Sequence, residues 1–376
     1  MQVIKNRFDY SGFYLRDEEF IDSGYLLISR FSLENKQVVI ELVQIDGFRV
    51  LHQWIPPIEQ ILQKGGRPED LNNLSVSASE FRAQHPLLFE DGSIVISDGE
   101  GVLSRITRKG KVQWVLSDHF HHSLELDNDG NILATNYETG HFNDIHENMR
   151  EEMILVISPG GQVLKKYPIV QILIDNGYFA LLGGIGDLVN HEMVHLNDIH
   201  PISEDQGVAR AGDYALSFQR ISSVALFRPS ENKIVSLKTG PWLKQHDIDP
   251  LGDGRYSIFN NNAWALHGVG YSMRTPHSSI SLWEPSTGVV EEPYNEAFEK
   301  ADIRTKTEGR CRLLPNGDAY VEETESNRLL RISKDDVRWE YVNSSAAHSN
   351  VSGALHWCRY YLPEEIDLGW LEETHE

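Results

Sequence analysis

Histidine and arginine recur at one place in this chain, a fixed distance before a turn glycine. His85 in AQHPLLFEDGSIVIS, His122 in FHHSLELDNDGNILATN, His246 in KQHDIDPLGDGRYSIFNN and Arg310 in GRCRLLPNGDAYVEE precede Gly92, Gly130, Gly254 and Gly317 by 7, 8, 8 and 7 residues. His195, in VHLNDIHPISEDQGVARAGDYALSFQR, belongs to a degenerate fifth copy whose strands are parted by an insertion. Neutral imidazole is a base, nucleophile or metal ligand, and imidazolium and guanidinium hold anions through N–H donors. Several such side chains at one register point to a bound anion or metal.

The elements that must position them are short strands. SGYLLISRFS, KQVVIELVQI, GSIVISD, GNILATNYE, MILVISP, RYSIFNN, SSISLWEP and RLLRIS mix β-branched and aromatic residues and end at Gly, Asn, Asp or Pro. Helical patterns are few and read as insertions, over 168–182, 294–303 and 363–372. The five anchors lie 37, 73, 51 and 64 residues apart, with further strands before Trp54. That spacing predicts an all-β, six-bladed β-propeller with short helical insertions, one domain over residues 1–376 whose strands begin near residue 20. Inner strands of successive blades would bring the anchors together on the axis. A closing segment from about 334 to 376 is expected to pair RLLRIS or RYYLP with the first strands.

The chain has 376 residues, and 34 basic against 56 acidic side chains leave a formal charge of −22. So acidic a surface repels phosphate backbones and anionic bilayers, which argues against nucleic-acid and membrane partners. No apolar stretch reaches the length of a membrane helix, and MQVIKNRFDYSGFY lacks the apolar core of a secretory signal. A soluble, cytoplasmic chain is expected, or a periplasmic one if a leader has been removed. Cys311 and Cys358 are too few for a thiolate cluster but leave one disulfide open.

GPWLKQHDIDPLGDG, SFQRISSVALFRPSENKIV, FHHSLELDNDGNILATN and GRCRLLPNGDAYVEETESNRLLRI resemble the arylsulfotransferase family over about His85–Ser333. The GPW…QHD segment is the most specific part. The resemblance implies a six-bladed propeller that moves a sulfuryl group from a phenolic sulfate ester to a phenolic acceptor by a ping-pong route. It requires no nucleotide sulfate donor, metal or other cofactor. It implies a transiently sulfated histidine at His246, a second histidine at His122, a His-x-Asn pair at His195 and Asn197, and an arginine at Arg220. His85 and Arg310 join them as expected substrate-binding groups. A sulfuryl group in flight spreads charge over three oxygens, so it needs preorganised donors of these types. The enlarged relatives carry an N-terminal dimerisation domain that these strands leave no room for, so a homodimer is an expectation without an assigned interface. SEDQGVARAGD lengthens the chain between Asn197 and Arg220.

Three other patterns compete. His191–His195 spells HEMVH, the zincin motif if helical. His122, His195 and His246 together would suit Zn²⁺ or Fe²⁺ in a propeller lyase or oxygenase. A ligand-binding propeller without catalysis would use the same histidines as structure. Trp242, Trp264 and Trp357 are candidates for stacking on an aryl group, and His141 and His146 for shaping an entrance.

Overall fold

The computed structural model describes residues 3–65, 77–142, 147–184, 191–266, 270–343 and 351–372. It resolves into two compact units, one made of residues 1–121, 319–333 and 337–376, the other of 122–318 and 334–336.

Antiparallel strands dominate the first unit. Arg359–Tyr361, Tyr25–Ser32, Gln37–Gln44 and Arg49–Trp54 form one four-stranded sheet, so the RYYLP segment does pair with the first long strand. Gly12–Leu15, Val337–Val342, Arg328–Ile332 and Ala319–Glu323 follow in that order in a second, five-stranded sheet whose remaining strand is Arg310–Leu313. Gln84–Leu88, Ile94–Ser97 and Gly101–Ile106 follow one another against Val112–Leu126. Leu27, Ile40, Trp54, Phe81, Ile94 and Trp370 share one apolar cluster there.

The second unit holds the sheets that matter for function. Leu196–Pro201, Tyr214–Phe218, Ser223–Arg228 and Lys233–Thr239 pair in chain order, as do Ile248–Pro250, Tyr256–Asn260, Ser279–Trp283 and Val290–Glu291. Side chains alternate across a strand, so each sheet has two faces to cover. Tyr214, Leu216, Phe218, Ala225 and Phe227 pack with Leu133, Ile154 and Tyr167. Their alternates Ala215, Val224 and Leu226 pack with Ile248, Tyr256, Ile258 and Trp283. A sheet sandwiched between its predecessor and its successor is buried on both sides, which explains the continuous apolar runs YALSF and SVALFR. This arrangement is propeller-like.

Two expectations change. Val112–Leu126 is one unbroken strand of 15 residues, so the sheets do not divide into the six separate blades that the repeats suggested. The long helical segment splits into Ile169–Asp175 and Phe179–Gly184 at Gly177, whose φ of 89° ends the first helix. Asn295–Lys300 is helical as expected, whereas 363–372 holds only the 3₁₀ turns Pro363–Glu365 and Gly369–Leu371. No described helix is long and apolar enough to cross a membrane. Cys311 and Cys358 are both buried and free.

The turn glycines do the work their spacing predicted. Gly130 has φ 77° and donates to Asp127 O at 3.0 Å, with open space where a Cβ would project. Gly130→Ala is therefore expected to cost only the left-handed penalty, about 1 kcal/mol. At Gly92 a Cβ would lie 2.5 Å from the Trp370 ring, so Gly92→Ala is expected to cost more. Urea unfolding of both variants checks the order.

Candidate active site

A left-handed residue opens the inner edge of successive sheets. In the second unit it is His122 (φ 51°), His195 (φ 55°), Lys244 (φ 56°) and Glu308 (φ 57°); in the first it is His85 (φ 45°) and Trp357 (φ 56°). A side chain in that region costs about 1–2 kcal/mol, so its recurrence marks one structural register. His246 and Arg310 are not in that register. They stand two residues further on, level with Asn197. The expected single ring of anchors is thus two tiers, with Lys244 the counterpart of His195. Distance to the turn glycine concealed this, because the loops before Gly254 and Gly317 differ in length from the others. Aligning the aspartates of HLND and KQHD reveals it.

The first tier gathers around Glu192. His195 Nδ1 lies 2.7 Å from Glu192 Oε1. A carboxylate only accepts, so Nδ1 carries the proton and Nε2 carries the lone pair of the neutral ring. No described residue hydrogen-bonds to Nε2, and the His122 ring stands edge-on with centroids 4.8 Å apart. Burial lowers the His195 pKa, but the charge and hydrogen bond of Glu192 outweigh it and leave it raised. Arg150 Nη1 reaches Glu192 Oε1 at 3.4 Å, and Arg220 Nη1 stands 4.0 Å from Oε2. Lys244 Nζ donates to Arg220 O at 2.7 Å. Burial, then the Arg220 charge, push the Lys244 pKa down to about 8. Two arginines thus face the Glu192 carboxylate, with Lys244 held beside one of them, within a chain of charge −22. Sequence reasoning missed Arg150 and Lys244 and met Glu192 only as part of the HEMVH motif.

The second tier is closed. His246 is almost fully buried, and its Nδ1 faces Asn261 Oδ1 at 2.8 Å and Lys244 O at 3.0 Å. Asn261 Nδ2 donates to Thr305 O and Glu308 O, which fixes the amide so that its oxygen points at the ring. Nδ1 is therefore the donor. Nε2 accepts the backbone N–H of Glu308 at 3.0 Å. Burial drives the His246 pKa down to about 3, so the ring is neutral.

Asn197 is buried, with Nδ2 donating to Gln245 O at 3.3 Å and no partner for Oδ1 among the described residues. Arg310 is buried beside Asp247, its Nη2 3.5 Å from Oδ1. Asp247 also accepts Cys311 N at 2.7 Å, while Asp198 accepts Ile248 N and Ser123 Oγ. These carboxylates staple one sheet to the next, and Arg310 offsets their charge. His85 is buried in the other unit, edge-on to Trp357 at 5.5 Å. Trp242 and Trp357 are core residues, whereas Trp264 is half-exposed on the hairpin of Ala263–Leu266 and Gly270–Met273. His141 pairs with Glu138 at the surface, and His146 lies outside the described residues.

A family model described as Arylsulfotransferase (ASST) matches residues 88–344. The chain belongs to the arylsulfotransferase family. Among solved structures, this family member is similar to a protein of unknown function from Bacteroides caccae. The two are 13% identical over 90% of this chain and 99% of that one, with a TM-score of 0.56. A streptogramin B lyase shows 13% identity over 93% and 98% of the two chains at a TM-score of 0.46. TolB from Acinetobacter baumannii shows 11% over 90% and 67% at 0.49. At 13% identity the likeness to the Bacteroides caccae protein is one of fold. No curated protein matches the chain.

The metal readings fit this family member poorly. His191 has φ 58° and the HEMVH segment is not helical, so its histidines do not share a helix face. In the three-histidine set, the His246 Nε2 lone pair already takes the Glu308 N–H. Among the described residues, Asp198, Asp247 and Asp249 are the one trio with atoms close enough to hold an ion. Arg310 and backbone N–H groups occupy that trio.

Proposed function

We propose that this arylsulfotransferase-family protein moves a sulfuryl group from an aryl sulfate ester to a phenolic acceptor through a sulfated histidine, without a nucleotide sulfate donor. The observation that carries this reading is the cluster of Arg150, Arg220 and Lys244 around the His195–Glu192 pair. A sulfate ester has three oxygens that gain charge as the S–O bond lengthens, and preorganised cationic donors stabilise that charge. The His122 and His195 rings stand edge to edge beside them, and Asn197 and Arg310 brace the tier behind. Half-exposed Trp264 offers a face for the aryl ring. In this reading the sulfated residue is His246, as the family resemblance implies.

Mixing the protein with p-nitrophenyl sulfate tests this. The expected result is release of p-nitrophenol and a mass gain of one SO₃ on the intact chain, unaffected by EDTA. Adding phenol should discharge the adduct. The absence of both adduct and nitrophenol release would sink the reading, and loss of activity with EDTA would favour a metal site instead.

A further inference from the structure

His246 is held at both ring nitrogens, and one buried amide governs both contacts. We propose that Asn261 is the positioning residue of the nucleophile: it fixes His246 in the Nδ1–H form, so that Nε2 presents the lone pair that takes up the sulfuryl group. The inference rests on the sulfuryl-transfer reading through His246 and adds the residue that chooses the reacting atom.

A neutral imidazole attacks through the nitrogen that carries no proton, so whatever fixes the tautomer selects that nitrogen. Asn261 is fully buried. Its Nδ2 donates to Glu308 O at 2.7 Å and to Thr305 O at 3.0 Å, and two carbonyls can only be met by the NH₂ end. Oδ1 is thereby turned to His246 Nδ1 at 2.8 Å, where Lys244 O is a second acceptor at 3.0 Å. Both oxygens accept, so Nδ1 carries the proton and Nε2 the lone pair. In this structure Nε2 takes the Glu308 N–H at 3.0 Å, and Glu308 is the residue whose carbonyl Asn261 holds. One side chain therefore fixes the ring and the backbone that faces its reacting nitrogen. Asn261 is itself anchored through its neighbour. Asn260 Oδ1 accepts Leu243 N and Asn262 N, each at 3.0 Å, which ties the segment carrying Asn261 to the one carrying His246.

In the first half-reaction the Nε2 lone pair forms a bond to sulfur. The aryl S–O bond breaks, and its electron pair leaves with the phenolate, which takes a proton from water. Attack frees the Glu308 N–H from the ring, and a sulfuryl oxygen becomes its acceptor. The Nδ1 proton stays, so the ring gains positive charge, and Asn261 Oδ1 and Lys244 O receive the strengthened N–H donor. In the second half the acceptor oxygen bonds to sulfur, the N–S bond breaks and its pair returns to Nε2. The acceptor's proton passes to water, so the two halves balance.

The charged and titratable groups around the ring are Lys244 and Asp247 on its own segment, His195 on the sheet before it, and Glu308 and Arg310 on the segment after it. Burial outweighs the Asn261 hydrogen bond and holds the His246 pKa down to about 3. In the wild type, sulfation should therefore gain no acid limb from His246 at pH 4.5 or above. Asn261→Asp sets an anion against Nδ1 and should raise that pKa to about 4–6, the usual effect of an opposite charge in contact. The protonated ring has no lone pair, so sulfation in this variant should slow as pH falls through that value. Asn261→Ala should slow sulfation about 10- to 100-fold with KM for the ester changed far less, as loss of an orienting partner does for metal-bound histidines.

Two measurements on the full chain test this. Nitrogen-15 spectra of histidine-labelled protein report the ring without turnover, its signals assigned by their loss in His246→Gln. The expected wild-type pattern is an Nδ1–H form that does not titrate between pH 4.5 and 8. An Nε2–H form, or a ring that titrates near 6.5, would overturn the inference whether or not the Asn261 variants fold. The burst of p-nitrophenol from p-nitrophenyl sulfate, followed against pH in the wild type and both Asn261 variants, tests the use of the ring. The expected result is the added acid limb in Asn261→Asp and the slowed burst in Asn261→Ala. A burst in both variants at the wild-type rate and with its pH profile would remove Asn261 from the reaction while keeping sulfuryl transfer. No burst and no adduct in the wild type would remove the transfer reading, and this inference with it.

Discussion

Arg220→Gln is expected to lower kcat/KM for aryl sulfates by about 10²- to 10³-fold, the usual cost of one preorganised donor to a developing anion. Arg220 is partly buried, and its guanidinium stands 4.0 Å from Glu192, a longer separation than the 2.7 Å from His195. Loss of the planar fork removes both charge and geometry, so Arg220→Lys should recover only part of the rate. A second readout separates this role from structure. The Arg220 charge helps hold the Lys244 pKa down to about 8, so Arg220→Gln should raise that pKa. Where deprotonation of Lys244 ends activity on the alkaline side, the limb should move to higher pH in the variant. A variant that keeps its rate within about threefold, with its alkaline limb in place, would remove Arg220 from the site.

The second large effect is on stability. His246 in one unit and His356 in the other are buried, and burial pushes both pKa values down to about 3. Unfolded, each takes up a proton near 6.5. Their neutral burial therefore contributes its full stability above pH 6.5, and that contribution is lost as pH falls toward 3. The slope is up to about 1.4 kcal/mol per pH unit for each histidine. His195 and His200 have raised values, so their contribution is complete below 6.5 and adds no slope there. Glu151, pushed up to about 8 by burial, and buried Asp198 and Asp247, also raised, act in the opposite sense over this range, so the part due to the two histidines is read as the difference in urea midpoints between the protein and a variant lacking both. His246→Gln with His356→Gln should flatten the acid limb even though both variants lose stability at pH 7. An unchanged slope in the double variant would place the acid sensitivity elsewhere.

The strand-and-turn layout was legible because it is local. Apolar runs bounded by Gly, Asn and Asp encode short strands, and positive φ at Gly92, Gly130, Gly254 and Gly317 bears out the turns. That Tyr214–Phe218 and Ser223–Arg228 are buried on both faces came from the structure, because it depends on the sheets packed on either side. The blade count was not legible. Whether one strand ends or runs on through Val112–Leu126 depends on its neighbours rather than on its own residues.

The site was legible by residue type and not by register. His122, His195, Asn197, Arg220 and His246 all come from the motif, and the structure brings His122, His195 and Arg220 to the Glu192 cluster. Taking the turn glycine as a ruler put His246 level with His195. The left-handed residues put Lys244 there instead. Arg310 reads as an axial cation from its spacing, yet its charge is set against Asp247.

By itself the sequence determined an all-β chain of repeated hairpins, its acidity, its family and the kinds of side chain available for chemistry. These follow from short-range rules of backbone preference, strand period and composition. Only the tertiary structure decided which imidazole nitrogen keeps a lone pair. His195 owes its state to Glu192, three residues away, and His246 owes its closure to a backbone N–H 62 residues away. A hydrogen bond depends on position to within a fraction of an ångström, and contacts across sheets set that position.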